Sequence, residues 1–322
     1  MDITIENNEI PIFFAVDDNY IPFLAVAIKS LIDNSSRKNN YKVIILNSGI
    51  NNKNMRILKN MEKENFKIIF FDVKNKIKEL EDKLLTRLRD YYSMSIYYRI
   101  FIASLFSEYK KGIYLDSDIV IIDDIANLYA ENIENYLVGA ISDEVVAENK
   151  VFQKYTKEAL DLDPNKYFNS GVLLMNLDNF RKQKIEEKFI YLLKKYNFDV
   201  IAPDQDYLNV LCKGKVKYLS RGWDRMPNND ESFDNSQLHL IHFNMFKKPW
   251  NYSNVLYEEY FWKYAVKTYF YKDIINMKNA YTSDDIKKDN IGVQNMIKQS
   301  FRIIQSKKTF KDILKDNYLD NL

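Results

Sequence analysis

The chain has 322 residues, 46% of them hydrophobic, with 47 basic and 45 acidic side chains. This length and composition permit a substantial core, in one large α/β domain with extensions or in two domains. A formal charge of +2 gives no support for nucleic acid binding. The single cysteine, Cys212, excludes an intramolecular disulfide and a cysteine-rich metal site, and we expect it to be a small buried hydrophobe.

The sequence does not predict secretion or insertion into a membrane. The amino-terminal segment lacks a basic region followed by a long apolar core, so it does not resemble a secretory signal. No apolar run reaches the roughly 18 residues that a spanning helix needs. With the lone cysteine, these features favour a cytoplasmic protein, with peripheral contact at the inner membrane face as an open alternative.

The first part of the chain predicts alternating strands and helices. The apolar runs that indicate strands cover residues 10–16, 41–46, 66–71, 136–142 and 171–177. The segments with helical spacing of apolar residues cover 23–32, 55–61 and 93–106. This alternation is typical of an α/β fold with a mainly parallel sheet flanked by helices. Ligands of such sheets bind at the carboxyl ends of the strands, where Asp17 and Asp116 are expected.

Residues 112–124, GIYLDSDIVIIDD, place two carboxylates in an apolar run. Asp116 and Asp118 interrupt what is otherwise a buried strand, and unpaired buried carboxylates are costly. Short hard oxygen donors on either side of Ser117 suit a divalent cation. A solvated turn capped by aspartates is the commoner use of such a pattern, and it remains the alternative.

The only two histidines, His239 and His242, lie on a predicted strand over residues 238–243. Because their spacing puts them on opposite faces, only one can face the acidic site, and His242 at the carboxyl end is better placed. Two aspartate oxygens and one imidazole nitrogen suit Mn²⁺ better than Zn²⁺ or Ca²⁺. A histidine buried in the core without a metal is the alternative.

The chain contains neither of the glycine-rich loops that commonly hold phosphates. The dinucleotide-binding pattern G-x-G-x-x-G and the P-loop pattern G-x-x-x-x-G-K-[ST] are both absent. Any bound phosphates are therefore expected to be held by a metal ion and lysine. A nucleotidyltransferase, which would need a basic glycine-rich triphosphate loop near the amino terminus, is disfavoured.

Several separated motifs occur in an order that resembles one enzyme family. The motifs are AVDDNY near the start, YYRI before YLDSD, YFNSGVLLMNL, PDQDYLN, and HF followed by KPW. Together they resemble the bacterial members of glycosyltransferase family 8, the retaining lipopolysaccharide galactosyl- and glucosyltransferases, with glycogenin as a distant relative. The resemblance implies a GT-A fold that binds a UDP-sugar through Mn²⁺, with Mg²⁺ as an alternative metal.

The resemblance also implies a role for each matching residue. The implied metal ligands are Asp116, Asp118 and His242. The implied uridine-binding residues are Ala15, Asp17, Asn19 and Tyr20. The residues implied at the diphosphate and the donor sugar are Arg99, Ser117, Asp143, Asn169, Ser170, Gly171 and Lys248. Residues 17–19 could instead cap a helix, a role that does not exclude nucleotide binding.

The implied catalytic residues are Asp143, Asp204 and Gln205. Asp204 would hydrogen-bond the sugar hydroxyls, and Gln205 would lie near the reacting face of the anomeric carbon. Because glutamine is a poor nucleophile, we favour a front-face mechanism through an oxocarbenium-like state. Acidic residues after Pro203 are also a common helix start, which is the structural alternative.

One position departs from the family pattern, which usually reads His-Phe-x-Gly-x-x-Lys-Pro-Trp. This chain has Met245 at the glycine position, and Lys247 precedes Lys248. Glycine permits close approach and unusual backbone dihedrals that methionine does not favour. The segment that closes over the donor is therefore expected to follow a different path.

The motifs predict a catalytic domain over residues 1–250 and a helical extension over 251–322. The Lys-rich extension is predicted to be either a solvated helical layer or a site of membrane or partner contact. Residues 144–166 could form a lid or acceptor loop, or an ordinary surface helix.

The leading hypothesis is a Mn²⁺-dependent retaining hexosyltransferase. It would move galactose or glucose from UDP-galactose or UDP-glucose to a glycan, glycolipid or glycoprotein acceptor. The alternative from another class is a nucleotide-sugar-binding protein without transfer activity, which Met245 makes conceivable.

Overall fold

The computed structural model describes residues 9–78 and 94–314. Within these residues the strands are β1 (Glu9–Ala15), β2 (Asn40–Asn47), β3 (Phe66–Asp72), β4 (Lys111–Leu115), β5 (Ile119–Ile121), β6 (Val138–Ala140), β7 (Val172–Asn176), β8 (Val216–Tyr218) and β9 (Leu240–His242).

The same residues form α-helices and short 3₁₀-helices. The α-helices are α1 (Ile21–Asn34), α2 (Asn52–Lys59), α3 (Lys74–Ile77), α4 (Ile102–Leu105), α5 (Ile125–Tyr129), α6 (Glu144–Glu148), α7 (Lys150–Ala159), α8 (Leu177–Lys182), α9 (Ile185–Lys195), α10 (Pro203–Leu211), α11 (Glu258–Ala265), α12 (Tyr271–Ala280), α13 (Ser283–Gln305) and α14 (Phe310–Ile313). The 3₁₀-helices are Asp18–Tyr20, Met94–Phe101, Pro164–Lys166, Arg221–Trp223 and Asn235–Gln237.

Seven strands form one mixed sheet in the order β3-β2-β1-β4-β7-β6-β8. The pairs β1–β2, β2–β3, β1–β4 and β6–β8 are parallel, whereas β7 runs antiparallel to β4 and β6. Alternate residues of β1 enter different core clusters, with Phe13 in one and Ile12 and Phe14 in the other. The sheet is therefore buried on both faces, as a mainly parallel sheet requires. The predicted α/β architecture is confirmed.

The apolar run over residues 112–124, which was predicted to be a strand interrupted by an acidic turn, divides between two sheets. β4 lies in the large sheet, but β5 pairs antiparallel with β9 in a separate two-stranded sheet, with Ile119 opposite His242. The acidic turn at residues 116–118 is the connection between the two sheets. This arrangement places the turn and the end of β9 side by side.

The prediction of a single helix over 93–106 is wrong in its first part. Residue 93 lies outside the described residues, and the chain from Met94 to Phe101 is a 3₁₀-helix that leads into α4. Residues 97–103 are all buried, so this part of the segment has no solvent-facing side of the kind that an amphipathic α-helix presents, whereas Met94 and Ile96 are partly exposed. In addition, the Arg99 side chain donates to the Ile96 carbonyl at 2.9 Å and competes for a backbone acceptor.

The helices after residue 254 share the core of the sheet. Met296, Ile303 and Phe310 are buried in the same cluster as Phe13 of β1. Phe310 stacks on Phe198 with ring centroids 4.0 Å apart. The predicted helical extension therefore buries one of its faces in the hydrophobic core beside the large sheet. Among the described residues, no helix combines the length and the apolar character needed to cross a membrane.

We predict that Phe310→Ala lowers the free energy of unfolding by about 3–5 kcal/mol, because it removes a fully packed ring from the core. Phe301→Ala is the matched control, since Phe301 is 43% exposed on α13, and it should cost about 0.5 kcal/mol or less. Urea unfolding of both variants measures the difference. Equal losses would mean that α14 does not share the core.

Candidate active site

A cavity of about 560 Å³ opens at the carboxyl ends of β1 and β4. The sequence-predicted site residues that line it are Ala15, Asp17, Tyr20, Arg99, Asp116, Ser117, Asp118, Asp143, Asn169, Ser170, Asp204, Gln205, His242 and Lys248. Gly171 lies behind this lining, against His242, and Asn19 is exposed outside it. The structure thus brings together nearly all the residues that the motifs singled out.

Three potential metal ligands converge at one wall of the cavity. Asp116, Asp118 and His242 each offer one ligand atom, and these atoms lie within 4.8 Å of one another. His242 Nε2 is 3.2 Å from Asp118 Oδ1 and 3.9 Å from Asp116 Oδ2. Ligands about 2.1 Å from a cation at right angles to each other are separated by ~3 Å. The group therefore needs only small movements to enclose a divalent cation.

Asp116 has one oxygen held by protein and one turned toward this cluster. Its Oδ1 accepts from Arg99 Nη2 at 2.9 Å and from the Tyr114 hydroxyl at 2.8 Å. Burial alone would lower the pKa of the Arg99 guanidinium, but the negative charges of Asp116 and Asp204 outweigh this effect and raise that pKa. Arg99 is therefore a permanent cation that orients Asp116. Sequence analysis missed Tyr114, because an apolar strand gives no sign that a hydroxyl at its end will meet a carboxylate.

His242 is oriented by a carboxylate that sequence analysis also missed. Its Nδ1 lies 2.8 Å from Asp224 Oδ1, which turns Nε2 toward Asp116 and Asp118. Burial acts against protonation, yet Asp224 and Asp118 outweigh it and raise the pKa of His242 to about 10. A metal ion at Nε2 would replace that proton, and a carboxylate behind a histidine ligand is the usual supporting partner.

Asp118 is paired with Lys248 on the other side of the cluster. Lys248 Nζ donates to Asp118 Oδ2 and, at 2.6 Å, to the Phe243 carbonyl. Burial opposes ionisation of Asp118, but Lys248 and His242 hold its pKa well below the usual range. Both oxygens of Asp118 therefore remain charged and in defined positions, with Oδ1 facing His242.

Gly171 leaves the space that the three ligands occupy. A Cβ atom at this position would lie 2.3 Å from His242 Cε1 and 2.8 Å from Asp116 Oδ2. No larger residue fits without moving these side chains. Oriented hard donors, a supported histidine and the room left by glycine together fit a divalent cation.

The predicted sugar-pocket residues form one hydrogen-bonded network. Gln205 Oε1 accepts from the Ser170 N–H at 2.8 Å, and Gln205 Nε2 donates to Asp143 Oδ2 at 3.0 Å. Ser170 Oγ donates to Asp204 Oδ2 at 2.8 Å, and Asp204 also pairs with Arg99 at 3.2 Å. Burial raises the pKa of Asp143 and of Asp204. The Gln205 amide is thereby held at both ends.

Asp206 belongs to the PDQDYLN motif but was assigned no role. It lines the cavity and is buried, accepting from the Tyr155 and Tyr167 hydroxyls at 2.8 and 2.7 Å. The backbone N–H groups of Ile201 and Ala202 also donate to it. Burial raises the pKa of Asp206 to about 6. This carboxyl group ties the start of α10 to α7.

The segment after β1 has the capping role that was the alternative to nucleotide binding. Asp17 accepts from the Asn19 N–H at 3.0 Å and caps the 3₁₀-helix Asp18–Tyr20. Asp17 and Tyr20 nevertheless line the cavity, whereas Asn19 is exposed. Capping and cavity lining therefore coexist at Asp17, and the uridine roles stay predictions.

Met245 has a backbone conformation that glycine adopts more readily than methionine. Its φ angle is +57°, in the left-handed region, and its side chain lines the cavity with 36% exposure. Glycine would adopt this conformation freely, and the expectation of a different path for this segment stays a prediction. Holding a methionine there costs roughly 1–2 kcal/mol of strain.

Comparisons with known proteins agree on the family. The model of glycosyl transferase family 8 matches residues 11–254, and the chain belongs to this family. A Haemophilus influenzae protein named as a glycosyltransferase is 32% identical over 218 residues, which cover 67% of this chain and 63% of that protein. This chain therefore spans less than two thirds of that relative.

Two further matches cover a larger share of the matched proteins. The lipopolysaccharide 1,2-glucosyltransferase of Escherichia coli K12 is 26% identical over 318 residues, covering 94% of this chain and 84% of that protein. The crystal structure of galactosyltransferase LgtC with donor and acceptor sugar analogs matches with a TM-score of 0.68 and 23% identity, over 81% of this chain and 96% of LgtC. The latter likeness establishes the fold, which is GT-A.

We predict that Asp224→Asn weakens divalent cation binding by about 10–100-fold, because the ligand histidine loses its supporting carboxylate. Asp123→Asn is the matched control, since Asp123 Oδ2 lies 2.9 Å from His239 Nδ1, outside the cavity. Titration with Mn²⁺ as the probe measures both. An unchanged affinity in Asp224→Asn would show that His242 is not a ligand.

We predict that Met245→Val is less stable than Met245→Gly by about 1–2 kcal/mol, because a β-branched residue strains a left-handed backbone that glycine adopts freely. Urea unfolding of the two variants gives the difference directly. Equal stabilities would mean that the chain relaxes to another conformation at this position.

Proposed function

We propose that this chain is a retaining hexosyltransferase that moves galactose or glucose from a UDP-sugar to a glycan, glycolipid or glycoprotein acceptor, with Mn²⁺ or Mg²⁺ as metal. The observation that carries the proposal is the convergence of Asp116, Asp118 and His242 beside the Gln205 network in one cavity. The names of the E. coli and LgtC relatives support a hexose donor.

The donor would lie along the cavity with its nucleotide at Ala15, Asp17 and Tyr20. A divalent cation bound by the two aspartates and His242 supplies positive charge for the diphosphate. Lys248 stands at the same wall and would add a second charge once a phosphate competes for its pairing with Asp118. The leaving group would thus be neutralised from two sides.

The sugar would be oriented by the network around Ser170. Asp204 would accept hydrogen bonds from its hydroxyls, and Asp143 would hold the Gln205 amide near the anomeric carbon. The bond from that carbon to the diphosphate oxygen breaks while the acceptor oxygen bonds to the same face, with Gln205 stabilising the oxocarbenium-like state. The acceptor proton passes to the departing phosphate. Trapping a sugar covalently on Asp204 would contradict this front-face route.

We predict that wild-type protein binds UDP in a metal-dependent manner, and that Asp118→Asn weakens this binding by at least about 100-fold, because it removes a charged ligand. Asp33→Asn is the control, since Asp33 pairs with Lys29 and Lys267 away from the cavity. Calorimetric titration with UDP, with and without Mn²⁺, makes the measurement.

An assay for UDP release from UDP-galactose or UDP-glucose, made on the same samples, distinguishes a transferase from a protein that only binds the nucleotide sugar. Metal-dependent UDP affinity without any release, across a panel of acceptors, would favour the nucleotide-sugar-binding alternative. Metal-independent UDP affinity would contradict the assigned ligands.

A further inference from the structure

One wall of the cavity comes from helices α7 and α13. Phe152, Tyr155 and Thr156 of α7 line it together with Asp289 and Met296 of α13. α13 packs along α7. Because α13 begins after residue 254, where the family match ends, this wall includes side chains that the shared family region does not supply.

The positive charges of the cavity all belong to the metal and diphosphate side. Among the lining residues in the part of the chain described, the basic side chains are Arg99, Lys248 and His242. Each pairs with Asp116 or Asp118. The α7–α13 wall contributes no basic side chain to the described lining. A ligand against this wall would therefore find no cation to pair with an anionic substituent.

Asp289 is held so that one of its oxygens is left for a ligand. The Tyr252 and Tyr281 hydroxyls both donate to Oδ2, at 2.6 and 2.5 Å. Asp289 lines the cavity, and among the described residues Oδ1 has no hydrogen-bond partner, so it is the oxygen left to accept from a ligand hydroxyl. The Tyr252 N–H donates to the Lys248 carbonyl at 2.8 Å, so Asp289 is joined to the segment that borders the proposed diphosphate position.

The rest of this wall suits a ring with one apolar face. Phe152 and Met296 are apolar, and the buried Thr156 hydroxyl has no hydrogen-bond partner among the described residues. A pyranose presents hydrogens on one face and hydroxyls at its edge, which matches an apolar surface beside an acceptor oxygen.

We infer that the α7–α13 wall is the acceptor subsite and that Asp289 and Met296 select an uncharged sugar; this rests on the proposed function. A phosphorylated sugar or a uronic acid would bring its anion to Asp289 with no compensating charge. Acceptor choice would thus depend on a helix outside the family-matched region.

The test compares neutral and anionic sugars on the full chain loaded with Mn²⁺ and UDP. The probes are the methyl β-glycosides of glucose and galactose and of their uronic acids, with binding measured by titration in NMR. We expect the neutral pair to bind at least about tenfold more tightly, and Asp289→Asn to weaken that binding by about tenfold through loss of a charged acceptor. Asp289→Lys should shift the preference toward the uronates.

Asp284→Asn is the matched control, because Asp284 is 75% exposed on the same helix and pairs only locally with Lys287. It should leave sugar binding unchanged. Equal or tighter binding of the uronates by the wild type would overturn the inference. So would binding of none of the four sugars, or an Asp289→Asn variant that binds as the wild type does. UDP titration of each sample distinguishes failure of this inference from failure of the proposed function. If the wild type does not bind UDP in a metal-dependent manner, the proposed function itself is refuted.

Discussion

The antiparallel pairing of β5 with β9 is the constraint on which the site depends. It sets Ile119 opposite His242, and the Phe243 N–H continues the ladder to the Asp118 carbonyl at 2.9 Å. Because side chains alternate along a strand, a slip of one residue would turn His242 to the other face and remove it from the aspartates. The register of these three residue pairs therefore brings His242 to Asp116 and Asp118, from which it is far apart in the sequence.

Paired charges then join this cluster to the residues proposed to contact the sugar. Arg99 bridges Asp116 and Asp204, and Ser170 connects Asp204 to Gln205. Buried charges persist only when each has a partner, and removing one member leaves another uncompensated. The proposed metal ligands and the residues proposed to contact the sugar are thus parts of a single electrostatic unit, so a substitution in one group is expected to alter the other.

The features that could be predicted from the sequence were those with a local periodic pattern and those within recognisable motifs. Apolar runs located the first strands. Strand alternation allowed only one of the two histidines to face the aspartates, and the structure places His242, at the carboxyl end of β9, beside them. Asp224 was missed because it belongs to no periodic pattern in the sequence, and its role comes only from its contact with the distant residue His242. The 3₁₀-helix at Met94–Phe101 was missed because the helical spacing of its apolar residues does not distinguish a 3₁₀-helix from an α-helix. Asp289 was missed because a lysine-rich helix gives no sign of which side chain faces a cavity.

The most direct test of the account is pulsed EPR of Mn²⁺ bound to protein labelled with ¹⁵N-histidine, since the chain has only two histidines. We predict a ¹⁵N hyperfine coupling from one directly bound imidazole, which persists in His239→Gln and disappears in His242→Gln. A coupling that follows His239, or bound Mn²⁺ without any histidine coupling, would contradict the proposed metal site.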